Sequence, residues 1–293
     1  MNNSRKIGIL CVLLSAVIFG FTPVLAGLSY QGGNNGVNMA FLRGVIPLPV
    51  LFVLGRLTAP GFRASKKQIR MGIIAGILQF GTSLLLYSSY SHISVGIATI
   101  LHFLYPLFVI LYHVFADRMR LNRIKWAGLI VSIVGAAVMV EVGPGGLSPL
   151  GMALALLSGV VFAGYMVVLQ KESSEPMPLY RLMTIVSITG AIMSAVCGIG
   201  MGKLTLALTP QAWGYVVGAT LLVSVGGCTL LQLGVRLAGD ADSSIYSLLE
   251  PLTSILFGMM LLGETLTVKK GLSSAMILIG LLITSLADRK KAD

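Results

Sequence analysis

Charged residues are scarce in this chain of 293 residues, and acidic residues are the scarcest of all. Asp and Glu together number 10 against 21 Lys and Arg, and charged residues make up 11% of the chain, whereas a soluble domain carries about a quarter. The mean hydropathy is +0.91. Apolar residues fall in runs of about 20, the length that a helix needs to cross a bilayer. The composition excludes an ordinary soluble domain and predicts an all-α polytopic membrane protein.

Patterns for metal, nucleotide or covalent chemistry are also lacking. The three cysteines and three histidines have no metal-ligand spacing, and an odd number of cysteines argues against a disulfide framework. The cysteines lie in apolar runs, so we interpret them as packing residues. The sequence GPGG at 143–146 predicts a turn rather than a phosphate-binding loop. We therefore expect no enzymatic activity, no cofactor and no metal site.

Apolar segments and basic loops together predict the topology. With the N-terminus in the cytosol, 16 Lys and Arg residues fall on the cytosolic side and only three on the other. Lys and Arg are enriched in cytosolic loops, so we expect both termini in the cytosol, in a bacterial-type plasma (inner) membrane. The net charge of +11 is then a topology signal, and no nucleic-acid partner is expected. The ten apolar segments are 7–27, 37–55, 71–90, 93–115, 124–142, 150–169, 179–201, 211–233, 242–262 and 271–287.

An internal repeat relates the two halves of the chain. LLSAVIFG (13–20) matches LLSGVVFA (156–163), and ILHFLYPLFVIL (100–111) aligns with IYSLLEPLTSIL (245–256). The second alignment pairs Tyr105 with Glu250 and Pro106 with Pro251, and its offset of 145 also pairs Gly81 with Gly226 and Gly135 with Gly280. Five spans per half is an odd number, so the second half is inverted in the membrane. We predict two inverted five-helix repeats, 1–145 and 146–293, with a site near the midplane between them.

Several of these stretches resemble a known family. LLSAVIFGFTPV in the first segment, FLRG in the second and LLEPLTSILFGMMLLGETLT near the end are similar to the drug/metabolite transporter superfamily, closest to its EamA-like ten-helix transporters. The resemblance implies transport of small metabolites such as amino acids or related compounds, and export is the implied direction. The first half departs from the pattern, since it has Tyr105-Pro106 instead of Glu-Pro and ADRMRL instead of a Gly-Glu turn.

Glu250 is the deepest carboxylate in the ten segments. A charged residue inside a membrane span indicates a functional site. If the ninth helix starts at Asp242, then Ser243, Ser247, Glu250 and Ser254 form one polar stripe on it. Two interpretations remain open: Glu250 lines a cavity, where it binds substrate or carries a proton as the coupling ion, or it forms a structural ion pair with Arg43.

Other polar and aromatic residues are candidates for the same cavity. Pro106 and Pro251 are possible hinges, because proline kinks a helix. Gly72-x-x-x-Gly76 and Gly214-x-x-x-Gly218 predict close helix packing. The additional candidates for substrate cavity or coupling are Gln79, Ser83, Tyr90, His102, Tyr105, Tyr165 and Tyr246.

The sequence thus predicts a secondary transporter that works by alternating access. Its expected partners are a small-molecule substrate, the lipid bilayer and protons. The alternative is a channel-like or facilitative membrane protein without ion coupling, although the pore loops and charged rings typical of channels are not recognisable in the sequence.

Overall fold

The computed structural model describes residues 3–116, 118, 123–139, 148–171, 177–238, 243 and 246–292. Throughout these ranges the regular elements are helices. One of them is a π-helical turn, Leu222–Gly227. The other helices are α1 (Asn3–Tyr30), α2 (Gly36–Val45), α3 (Leu48–Thr58), α4 (Lys66–Ser89), α5 (Val95–His102), α6 (Tyr105–Ala116), α7 (Arg123–Met139), α8 (Pro149–Lys171), α9 (Leu179–Gly200), α10 (Pro210–Leu221), α11 (Cys228–Ala238), α12 (Leu249–Leu262) and α13 (Val268–Ala292).

Seven helical stretches in the described part of the chain are long and apolar enough to cross a membrane by length and composition. They coincide with seven of the ten predicted segments. The remaining three predicted segments correspond to α7, α12 and α13, of which α12 is a shorter apolar helix of 14 residues. The seven spans are Ser4–Tyr30, Gly36–Thr58, Lys66–Ser89, Val95–Ala116, Pro149–Val168, Leu179–Gly200 and Pro210–Leu231.

Helix packing follows a pattern that repeats with the two halves exchanged. In the first half, α1 packs against α10, α11 and α12 of the second; in the second half, α8 packs against α4, α5 and α6 of the first. The same exchange is visible in single contacts. A Cβ atom on Gly81 would lie 3.3 Å from Val161, and one on Gly226 would lie 3.6 Å from Ile18. Residues 18 and 161 occupy equivalent positions in the repeated stretches LLSAVIFG and LLSGVVFA, which lie 143 residues apart.

The fifth helix of each half, α7 and α13, packs directly against the other. Gly128 and Gly280 face each other so closely that a Cβ atom on Gly280 would lie 2.5 Å from the carbonyl oxygen of Gly128. Ser132 Oγ donates a hydrogen bond of 3.1 Å to the carbonyl of Ile277. Small residues allow this approach of the two backbones, as is common between membrane helices.

Two buried apolar cores support the helices. In one, α5 packs with residues of α7, α8 and α13, and in the other α1, α2 and α10 meet. Large apolar side chains elsewhere are exposed, for example Val196 at 65% and Ile199 at 73% on α9. Exposed apolar side chains suit a surface that contacts lipid, because lipid tails are as apolar as the side chains.

A carboxylate from the second half caps a helix of the first. Glu264 Oε1 accepts a hydrogen bond from the backbone N–H of Val95, and Oε2 accepts one of 3.2 Å from Gly96. These N–H groups begin α5, where no intrahelical acceptor exists. Glu264 follows Gly263, which ends α12 with φ +66°. Burial raises the pKa of the Glu264 carboxyl, while the hydrogen bonds from Gly96 and Val95 and the charge of Lys270 oppose that rise.

Candidate functional site

Two helical spans are interrupted at matching places. A turn at 103–104 separates α5 from α6, and a turn at 247–248 precedes α12. We expected Pro106 and Pro251 to kink continuous helices. Instead each proline lies in the first turn of a new helix, where its missing N–H costs no intrahelical hydrogen bond. The helix therefore restarts at each of these places, inside the bundle.

Glu250 lies in the first turn of α12 and is half-buried. Its N–H donates to the carbonyl of Ser247 over 3.0 Å, and Thr253 Oγ1 donates to its carbonyl over 2.8 Å. Gly20 of α1 packs against this turn, because a Cβ atom there would lie 2.5 Å from the Glu250 carbonyl oxygen. A carboxylate is favoured at a helix N-terminus, where the helix dipole is positive. This position explains how Glu250 is accommodated among apolar residues.

The predicted polar stripe does not run along one regular helix, because the turn at 247–248 interrupts it. Asp242, the predicted start of the ninth helix, lies outside the described residues. Ser243 is buried, and its hydroxyl makes no hydrogen bond among the described residues. Ser254 is buried and donates 3.1 Å to Thr99 Oγ1 of α5. Tyr246 and Ser247 are half-buried.

Arg43 lies in the last turn of α2 and is half-buried. Its Nη1 donates a hydrogen bond of 2.9 Å to the hydroxyl of Tyr87 on α4, and its Cζ lies 5.9 Å from the centre of that ring. Glu250 is close enough to Arg43 for an electrostatic interaction. Within the described residues, however, no direct ion pair joins the two. The contact that Arg43 makes is therefore with a neutral hydroxyl.

His102 connects α5 to α8. Its Nδ1 lies 2.9 Å from Ser158 Oγ, and Ser158 Oγ donates to the carbonyl of Ala155 over 2.6 Å. Because a hydroxyl has one proton, we assign Nδ1 as the donor to Ser158. The neutral ring then has Nε2 as its acceptor. The ring packs beside Phe162, with 5.2 Å between centroids.

Aromatic rings extend from His102 across α6 and α8. Tyr105 meets Phe162 edge to face at 4.7 Å, and Phe162 stacks on Tyr165 at 5.4 Å. Tyr105 is within electrostatic range of Glu250, and Tyr165 is within range of Arg43. All three rings are half-buried. The rings thus connect the environment of Glu250 with that of Arg43.

The π-helical turn contributes the remaining side of this region. Ser15 Oγ of α1 donates 2.9 Å to the carbonyl of Gly227, and a Cβ atom on Gly227 would lie 2.6 Å from the ring of Phe19. The next residue, Cys228, is half-buried and within electrostatic range of both Arg43 and Glu250. π-Helical turns inside α-helices frequently occur at functional sites.

We use the name central cluster for the residues that are joined by these contacts and interactions. It draws on seven helices from both halves of the chain. Seven of its nine members are half-buried and so retain some accessible surface, and Tyr87 and His102 are buried. The central cluster consists of Arg43, Tyr87, Tyr90, His102, Tyr105, Phe162, Tyr165, Cys228 and Glu250.

Six of the twelve predicted cavity residues belong to the central cluster, and three of its members, Tyr87, Phe162 and Cys228, were not predicted. No hydrogen bond or ring contact in the described part of the chain joins Gln79 or Ser83 to it, although both lie on α4. Tyr87 shares a helix face with Tyr90, three positions away, and Phe162 lies in the repeated stretch LLSGVVFA, so both had a detectable signal. For Cys228 the sequence offered no signal beyond the glycine pair that precedes it.

Comparison with known proteins follows the same division of the chain. The family described as "EamA-like transporter family" matches residues 6–141 and 149–286. A Synechocystis sp. protein named as an uncharacterized transporter, sll1319, is 27% identical over 91% of this chain and 89% of its own length. The uncharacterized inner membrane transporter YicL of Salmonella typhimurium is 25% identical over 100% of this chain and 99% of its own. A crystal structure of another protein matches 99% of both chains with a TM-score of 0.68 at 20% identity, which shows a shared fold.

Proposed function

Because this chain belongs to the EamA-like transporter family, we propose that it is a secondary transporter that exports a small metabolite by alternating access. Amino acids and related compounds are the leading substrate class. The observation that carries the proposal is the central cluster, where polar and aromatic groups of both halves meet beside two interrupted helices. Interrupted helices at the interface between repeats form the substrate sites of many transporters.

The proposed moving units are the two five-helix halves, 1–145 and 146–293. The exchanged contacts of Gly81 and Gly226 support this division, as do the matching turns before Pro106 and Pro251. Backbone conformation adds a further match, since Arg118 and Gly263 both have positive φ, 52° and 66°, and differ by the offset of 145.

We propose that both termini lie in the cytosol and that the membrane is a bacterial-type plasma membrane. Glu264 and the start of α5 then lie at the outer end of the bundle. Reporter fusions test the topology: a reporter at the C-terminus should behave as cytosolic, and one inserted at 143–149 as external. The reverse pattern at either position would exclude this orientation.

Glu250 is our candidate for proton coupling. A carboxyl group that is partly dehydrated beside a substrate space can alternate between proton and substrate binding. In proteoliposomes with an imposed pH gradient, Glu250→Gln should retain counterflow of the substrate and lose its dependence on the gradient, because glutamine keeps the shape but cannot ionise. Glu264→Gln is the matched control, since Glu264 lies outside the central cluster, and it should retain gradient-driven transport.

The same assay separates the possible roles. Gradient-driven transport by a well-folded Glu250→Gln protein would exclude the proton carrier. If Glu250 instead stabilises the charge of Arg43, Glu250→Gln should mainly lower the yield of folded protein, and Arg43→Gln should partly restore it. Flux that never saturates and shows no counterflow would favour the channel-like alternative over a carrier.

A further inference from the structure

Arg43 has more hydrogen-bond donors than the structure uses. A guanidinium group carries five N–H donors and no acceptor. Of these, Nη1 donates to the Tyr87 hydroxyl over 2.9 Å, and within the described residues Arg43 forms no ion pair. A charged group inside a membrane protein normally faces a partner or a water-filled cavity. The unused donors of Arg43 therefore need an acceptor that the described residues do not supply.

The unused donors face accessible space. Arg43 is half-buried, and among the described residues Arg181 has a buried, unpartnered side-chain nitrogen, whereas Arg43 has none. The nitrogens of Arg43 that lack a partner are consequently in contact with open space. Tyr165, Cys228 and Glu250 are within electrostatic range of Arg43. Because a charged group in a membrane span faces a partner or a water-filled cavity rather than lipid, we infer that the space beside Arg43 is such a cavity.

Tyr87 and Tyr90 add further donors at the same place. The Tyr87 hydroxyl accepts from Arg43, so its own proton remains available to another acceptor. Tyr30 donates 2.7 Å to the Tyr87 carbonyl and holds that residue in place. The Tyr90 hydroxyl is buried without a hydrogen bond of standard geometry, although Thr99 is its polar neighbour. A guanidinium and adjacent phenol hydroxyls form a donor set that suits a carboxylate oxygen pair.

We propose that Arg43 and Tyr87 bind the carboxylate of the transported solute. This inference rests on the proposed transport function and assigns to two residues the recognition of the carboxylate that the proposed amino-acid-like, zwitterionic solutes carry. Glu250 is within electrostatic range of Arg43 without touching it. A zwitterion bound here has its carboxylate at Arg43 and its ammonium group towards Glu250. Each charged side chain then gains a direct ion pair, which neither forms with another described residue.

Substrate competition in proteoliposomes tests the assignment. Counterflow of labelled amino acids is measured with unlabelled competitors in matched sets, each consisting of an amino acid, its carboxamide and its decarboxylated amine. In the wild type, the acids should compete at least about 10-fold better than their amides, the discrimination expected for one charge-assisted hydrogen-bonded pair. Arg43→Gln should raise the half-saturating concentration of the acids about 10- to 100-fold and remove the preference for acids over amides.

Two further variants refine the result. Tyr87→Phe removes one hydroxyl and should weaken acid binding by about 3- to 10-fold. Arg181→Gln is the matched control, because Arg181 lies on α9 and donates to the Ala59 carbonyl over 3.3 Å; it should leave the preference unchanged. If wild-type transport does not distinguish acids from amides, or Arg43→Gln keeps the distinction, the inference is wrong while the transport function stands.

Thermal unfolding of the purified protein tests the carboxylate site without transport. Propionate should raise the wild-type midpoint, propionamide should not, and Tyr87→Phe should reduce the propionate shift even if Arg43→Gln fails to fold. Equal shifts with both compounds would overturn the inference. A propionate-specific shift without flux of any solute would support the anion site and refute the proposed transport of amino-acid-like compounds.

Discussion

Glu264 offers the sharpest test of how the two halves are held together. Its carboxylate accepts the N–H groups of Val95 and Gly96, and the Ser94 hydroxyl accepts that of Ile97 over 3.4 Å. The first three donors of α5 are therefore satisfied, two of them by a residue 168 or 169 positions away. Gly258 makes room for the carboxylate, since a Cβ atom there would lie 2.5 Å from Glu264 Oε2. Glu264→Ala should remove this link.

The expected loss follows from the number of donors released. A hydrogen bond to a charged acceptor contributes about 1.5–3 kcal/mol, and relief of the burial cost of the carboxylate offsets part of that. We expect Glu264→Ala to lower the free energy of unfolding by about 2–3 kcal/mol. Glu264→Gln keeps one acceptor oxygen and should lose less than half as much. Thr265→Ala, an exposed position in the same loop, is the matched control and should change stability by less than about 0.5 kcal/mol.

Pulse proteolysis across a denaturant series in detergent micelles measures these differences. The pH dependence has a definite sign, because burial raises the pKa of the Glu264 carboxyl. A raised folded-state pKa means that the folded protein binds the proton more tightly than the unfolded chain. The advantage of the wild type over Glu264→Ala should therefore be greatest below the ordinary carboxyl pKa and decrease as the pH rises through the raised value. Equal stability of wild type and Glu264→Ala at all pH values would refute the cap.

Two further substitutions test backbone packing and conformation. Gly280→Ala should lower the free energy of unfolding by about 1–3 kcal/mol, because its Cβ atom would lie 2.5 Å from the Gly128 carbonyl oxygen. Gly214→Ala should raise it by up to about 1 kcal/mol through helix propensity, because no packing neighbour among the described residues lies within 4 Å of a Cβ atom there; a similar effect of both would contradict the close approach of α7 and α13. Arg118→Gly should raise the free energy of unfolding by about 0.5–1 kcal/mol in the same assay, because Arg118 has φ 52°, a conformation that costs a non-glycine residue about 1–2 kcal/mol. Equal stabilisation by the control Arg63→Gly, in an exposed loop, would refute this explanation.

Glycine motifs show what the sequence can and cannot predict about packing. The prediction for Gly72 and Gly76 is confirmed, because Cβ atoms there would lie 2.9 Å from Ile185 and 2.5 Å from Thr189 of α9. The prediction for Gly214 and Gly218 was wrong: in the described part of the chain no packing neighbour lies within 4 Å of a Cβ atom built on Gly214, and the nearest to one on Gly218 is Leu25 at 3.9 Å. A glycine pair permits close approach on one helix face. Whether a neighbour fills that face depends on the rest of the bundle.

The helix interruptions could not be predicted from the sequence, for a different reason. An apolar run with one proline is compatible with a kinked helix and with a helix that restarts, because proline is tolerated in a first turn. The sequence alone pairs Pro106 with Pro251 but does not decide between these structures. The turns at 103–104 and 247–248 arise where other helices pack against the chain, as α1 does at Gly20 beside Glu250. Such tertiary contacts have no local signature.

Helix ends also account for where the two half-buried charges occur. Glu250 lies in the first turn of α12, and Arg43 lies in the last turn of α2. A helix dipole favours a negative group at its N-terminus and a positive group at its C-terminus. Each charge is therefore stabilised by the backbone of its own helix and does not need to contact the other. Because no direct ion pair joins Arg43 and Glu250 within the described residues, each charge remains available to the zwitterionic solute that we propose, whereas a direct pair would have occupied both.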